Sequence, residues 1–173
     1  MALSLPPLPP ESEAFHVIEY QLQQQLGAVR VKIIEAFDIT SITQAQLFAQ
    51  YCKTINPVNV IHAFIPTTEL DQPISDIAAR GVRVNPKRGL KIRADGITID
   101  KSKAVGECVH CLVALGNTMN YMDMTSDYET KEFIKVPPTV ECLNPEYNSL
   151  CVSNDKHYVI FNPDQIRTLQ FIR

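Results

Sequence analysis

Two histidines, a close cysteine pair and a run of cations are the residues of this chain whose types and spacing could carry chemistry. His62 stands in Val60-Ile61-His62-Ala63-Phe64 and His157 in Lys156-His157-Tyr158-Val159-Ile160. Near neutral pH an imidazole is neutral or cationic, so either ring could serve as a general base or a hydrogen-bonding ligand. Taken alone, His62 reads as a histidine at a strand end with no ligand. Cys108-Val109-His110-Cys111 has the spacing of a zinc hairpin, and Cys142, Cys151 and His157 could complete four ligands. No second close pair exists, however, and Cys111 belongs to the strand running through Leu112 to Leu115, where neighbouring side chains point to opposite faces. The reading is therefore of no metal site. Arg80, Arg83, Lys87, Arg88, Lys91 and Arg93 concentrate positive charge in a short Gly- and Pro-punctuated stretch. Within it Arg83, Lys87, Arg88 and Lys91 make a candidate phosphate or nucleic-acid patch. The absence of an interleaved aromatic that could stack bases favours a solvated loop and hairpin instead.

The elements that must position these groups follow from periodicity. Phe15, Ile18, Leu22 and Leu26 recur at helical spacing and Gly27 offers a stop. Val29, Val31, Ile33 and Ile34 predict a strand, and Asp38 to Ser41 supply cap candidates for a helix from about Thr43 to Cys52. A strand over Val58 to Phe64 carries His62. Near the C-terminus, His157 opens an apolar strand, Asn162-Pro163 turns the chain, and Ile166, Leu169 and Phe171 mark a closing strand. Pro6-Pro7 and Pro9-Pro10 make residues 1–12 a proline-rich leader or linker ahead of one domain over 13–173. At 173 residues the chain is long enough for one sizeable core and short for two. It has no run of membrane-spanning length and no signal-peptide pattern at its N-terminus. It is read as intracellular, nuclear or cytoplasmic, with no membrane partner. Five cysteines, an odd number, fit reduced thiols better than a disulfide framework. The net charge of -3 supplies no global drive toward nucleic acid.

The C-terminal pattern resembles the end of the catalytic domain of the poly(ADP-ribose) polymerase (PARP) family, in divergent form. There the strand begins with a catalytic glutamate followed by Tyr-aliphatic-Val-aromatic, then a turn, then Gln-aliphatic and a last strand. The earlier order is similar too: helix, strand, helix, a strand ending in His-Gly-Ser/Thr, and a short helix leading to a Gly-Leu-Arg turn that resembles Gly81-Val82-Arg83. Asp95-Gly96-Ile97-Thr98-Ile99 stands in the place of Gly-Ile-Tyr-Phe, and Cys111-Leu112-Val113-Ala114-Leu115-Gly116-Asn117 in that of Glu-Val-Ala-Leu-Gly-Asn. The resemblance spans residues 15–173 and implies an α/β (α+β) ADP-ribosyltransferase fold: two packed, mostly antiparallel sheets with a few short helices.

It also implies site positions. The family holds NAD with a histidine on the nicotinamide ribose, a tyrosine stacked on the ring, and a glutamate that orients the ribose and polarises the acceptor. The corresponding positions here are His62, Thr98 and His157. Threonine has no ring face to stack, and histidine cannot supply a fixed anion opposite an oxocarbenium-like ribose. Ala63 replaces the glycine and Phe64 the hydroxyl after the family histidine, while Ser102 stands near the carboxamide-binding serine. His62, Ala63 and Ser102 are thus the cofactor-binding positions of a site expected to be degenerate. The expectation is a pseudo-PARP with no cofactor, acting as a binding or scaffold module toward protein partners in a larger assembly. The alternatives are an active mono-ADP-ribosyltransferase that binds NAD weakly, and an RNA- or phosphate-binding domain.

Overall fold

The computed structural model describes residues 5–26, 32–93, 106–122, 124–126, 133–152 and 157–173. Helix α1 (Glu13–Leu26) places Phe15, Ile18 and Leu22 on one buried stripe, and Ser12 starts it by accepting a hydrogen bond from Phe15 N–H at 3.2 Å. Strand β1 (Ala36–Asp38) lies later than the strand predicted over Val29 to Ile34. Residues 29 and 31 are outside the described residues, Ile33 is buried and Ile34 is 66% exposed. Pairing decides the position: Ile34 and Glu35 N–H bond the carbonyl of Arg173, and the ladder with the C-terminal strand opens at Ala36. Helix α2 (Ile42–Thr54) is capped by Ser41, whose side chain accepts from Gln44 N–H. Strand β2 (Val60–Pro66) carries His62, and α3 (Ile74–Arg80) stops at Gly81, which has a φ of 80°.

Strands β3 (Leu90–Arg93), β4 (Cys108–Ala114), β5 (Thr118–Tyr121), β6 (Met124–Ser126), β7 (Phe133–Lys135), β8 (Ser149–Val152), β9 (His157–Ile160) and β10 (Ile166–Ile172) follow. One sheet runs β1-β10-β4-β2 and a second runs β3-β9-β8-β5, while β6 and β7 form a separate pair. All the pairings are antiparallel except β5 with β8. Strands β9 and β10 sit in different sheets, joined by a turn in which the Asn162 and Gln165 side chains form a capping box. No helix among the described residues is long and apolar enough to cross a membrane.

Three apolar layers result. Between the sheets lie Ala63 and Ile65 of β2, Val109, Cys111 and Val113 of β4, and Ile166 and Phe171 of β10, facing Ile92 and Ile160 of the second sheet. The outer face of the first sheet presents Phe64, Cys108 and Ile172 to the apolar stripe of α1. The outer face of the second carries Leu150, Val152 and Val159 beneath Cys142 and Leu143. Part of the proline-rich leader lies along the first sheet: Leu8 N–H donates to Ala36 O at 2.8 Å and Asp38 N–H to Pro6 O at 3.0 Å.

Candidate functional site

Alternation along β2 decides where His62 can act. Ile61, Ala63 and Ile65 point between the sheets, so His62 and Phe64 point to the outer face, toward α1. On that face β4 contributes His110, directly across from Phe64, and β10 contributes Gln170, directly across from His110. The result is a polar chain across the sheet: His62 Nδ1 lies 2.9 Å from His110 Nε2, and His110 Nδ1 lies 2.6 Å from Gln170 Oε1. Three aromatic rings stack along it. His110 is nearly parallel to Phe64 at a centroid distance of 4.5 Å and to His62 at 5.1 Å. Helix α1 closes the arrangement by donating Gln25 Nε2 to the carbonyl of His62 at 2.7 Å.

The chain of acceptors fixes the protons. Gln170 Oε1 can only accept, so His110 Nδ1 carries a proton and donates it; neutral His110 Nε2 then accepts from His62 Nδ1. His62 is left with its lone pair on Nε2. Burial is the main cause that pulls His110 down from 6.5 to about 4, with the neighbouring His62 ring pulling the same way and the Gln170 bond opposing. His62, half-buried, is also lowered by burial. Both rings are neutral at pH 7.

His157 opens β9 and is buried. It pairs across to Val152 on one side and Arg93 on the other, and Val152 belongs to the apolar layer outside the second sheet. Residues directly opposite in an antiparallel pair share a face, so His157 points to that outer layer. His62 and His157 therefore lie on opposite outer faces of the two-sheet sandwich, with both sheets between them. They do not converge on one substrate. Ala63 points its methyl between the sheets, and Phe64 is buried against α1. Strand β2 continues to Pro66, so His62 is its third residue and Thr67 follows the strand end. Thr98 and Ser102 lie outside the described residues.

Cys108 packs in the layer beneath α1 and Cys111 between the sheets, so the cysteine pair is split across β4. Among the described residues no group of three or more metal-ligating side chains comes together. The cations divide. Arg83 and Arg80 both reach Asp76, at 2.8 and 3.6 Å, and Arg93 reaches Glu69 at 3.0 Å. Lys87, Arg88 and Lys91 are exposed. Asn85 Oδ1 accepts from the backbone N–H of both Lys87 and Arg88 at 2.9 Å, which locks the turn that carries them.

Sequence reasoning passed over His110 and Gln170. His110 was grouped only with the cysteines that flank it, and its meeting with His62 depends on the β2–β4 register. The available signal was a polar residue inside an apolar strand, which must find a partner once buried.

No protein-family model matches the chain, and no curated protein matches it. Among solved structures the chain is similar to the crystal structure of the TASOR pseudo-PARP domain. The TM-score is 0.67 at 12% sequence identity, over 98% of this chain and 97% of that one. The chain thus shares the fold of a pseudo-PARP domain: mixed α/β, with two mostly antiparallel sheets and few helices.

Proposed function

We propose that this domain is a catalytically inactive PARP-like module that binds protein partners as a scaffold within a larger assembly. The observation that carries the reading is the separation of His62 and His157 onto opposite outer faces of the sandwich. An ADP-ribosyl transfer needs its ribose-binding and acceptor-activating groups around one bound NAD, within hydrogen-bond reach of the reacting atoms. Here the ring of His62 is committed to His110 and its backbone carbonyl to Gln25. The fold likeness to a pseudo-PARP domain supports the same reading.

Calorimetry with NAD tests it, paired with an assay for released nicotinamide. The expected outcome is no saturable heat up to about 1 mM NAD and release at the buffer rate. Low-micromolar binding that disappears in His62→Ala would overturn the reading in favour of a mono-ADP-ribosyltransferase. The locked turn carrying Lys87 and Arg88 supports a second reading, contact with phosphates of single-stranded RNA. That contact would weaken steeply with salt. No RNA binding at low salt would remove it.

A further inference from the structure

The short strand β1 is bordered on one side by β10 and on the other by the chain's own leader. Pro7 stands opposite Phe37 as an antiparallel bridge, flanked by Leu8 N–H donating to Ala36 O and Asp38 N–H donating to Pro6 O. In such a pair the two facing residues exchange no hydrogen bonds, so the N–H that Pro7 lacks is not missed. Pro6 is asked only for its carbonyl. The single donor required of the segment comes from Leu8, which is not proline.

Side chains add a second layer of selection. Leu5 packs against the core between the sheets and Leu8 against the layer beneath α1, so two leucines three residues apart grip the sheet from both faces. Pro6 and Pro7 between them are exposed, while Leu5 and Leu8 stay half-buried. Alternation of an extended chain places residues 5 and 7 on one face and 6 and 8 on the other, as the two packing environments require.

We infer that the outer edge of β1 is a docking site for an extended Leu-Pro-x-Leu segment of a partner protein, and that residues 5–8 plug it in cis. This names the partner class for the binding-module reading and rests on that reading. Main-chain pairing to a sheet edge supplies affinity and the two leucine seats supply selectivity. Exchange of leaders between two copies is disfavoured by the turn that returns the leader to its own strand. Ser12 Oγ–H and N–H both donate to Pro9 O, at 2.7 and 3.0 Å, while Ser12 Oγ caps α1.

The test uses the whole chain and a fluorescein-labelled peptide of residues 1–12. Two forms release the leader. In one, Leu5→Ser and Leu8→Ser loosen it; in the other, a protease site inserted between Pro10 and Glu11 is cut after folding, so folding does not depend on the substitutions. A tethered leader competes at an effective concentration in the millimolar range, so both released forms should bind the peptide at least about tenfold more tightly than the uncut wild type. A peptide with aspartate in place of Leu5 and Leu8 should not bind. Absence of binding to the cut, folded chain overturns the inference, as does equal binding of the aspartate peptide. Dimer formation by the uncut wild type at micromolar concentration overturns the choice of occupant in favour of leader exchange. NAD calorimetry on the same preparations tests the module reading separately, so failure of one is not mistaken for failure of the other.

Discussion

Replacing His110 with phenylalanine should flatten the dependence of stability on pH. In the folded chain burial holds the His110 pKa at about 4 against an ordinary 6.5. The unfolded chain therefore takes up a proton as pH falls through 6.5 that the folded chain refuses until about 4. Stability from the neutral ring is fully present above the unfolded value and is lost progressively as pH falls toward the folded one. Across the whole window the loss is about 3 kcal/mol, and between about pH 7.5 and pH 5 it is about 2 kcal/mol. His62 is shifted in the same direction by burial and adds to the slope with the same sign. Urea unfolding at the two pH values, on wild type and His110→Phe, measures the difference. The phenylalanine keeps a ring against Phe64 but leaves Gln170 Oε1 and His62 Nδ1 without their partner, costing about 1 to 3 kcal/mol at both pH values. The readout is thus the change with pH and not the level. If wild type and variant lose equal stability between the two conditions, the neutral His62–His110–Gln170 chain is not what the fold protects.

Two further outcomes follow from local geometry. Gly89→Ala should destabilise by roughly 2 kcal/mol in the same assay, because its φ is 73° and an added Cβ would sit 2.6 Å from the backbone oxygen of Ile160; a neutral effect would mean that the turn after Arg88 is not held against β9. Limited alkylation of the native chain near pH 8 should reach Cys142 before Cys108 and Cys111, since hydrogen bonding with Thr139 lowers its pKa while burial pushes Cys108 up to about 12 and raises Cys111. Mass spectrometry showing Cys108 labelled ahead of Cys142 would contradict that order.

How far the sequence could be read differs between the frame and the site, for one physical reason. The C-terminal frame was legible because its signals are local: Asn162-Pro163 ahead of Gln165 is a turn and cap signature, and Ile166, Leu169 and Phe171 mark a strand by type. Helices α1 and α2 were legible from spacing and caps within a few residues of their observed ends. The position of strand β1 differs from the expected one because so short a strand is chosen by its partner: Ala36, Phe37 and Asp38 pair with Ile172, Phe171 and Gln170 at the far end of the chain. The prolines of the leader mark it, on sequence alone, as lying outside the fold. It docks because the edge of β1 asks for no donor at either Pro6 or Pro7.

The face each histidine points to was illegible for the same reason, and it matters most for function. Face is set by parity within a strand, so a strand end two residues further along leaves parity intact, while register decides which neighbours the ring meets. His62 at the third position of β2 meets His110 only because β2 and β4 pair Phe64 with His110, and His110 meets Gln170 only because a bulge in β10 between Thr168 and Gln170 shifts the register there. At that bulge the side chain of Gln44 in α2 accepts from Thr168 N–H and holds the kink. A helix that carries none of the candidate site residues therefore fixes the strand geometry on which the histidine chain depends. Gln44 supports His62 through Thr168 of the closing strand, although Gln44 itself comes from none of the segments in which the family's motifs are recognised.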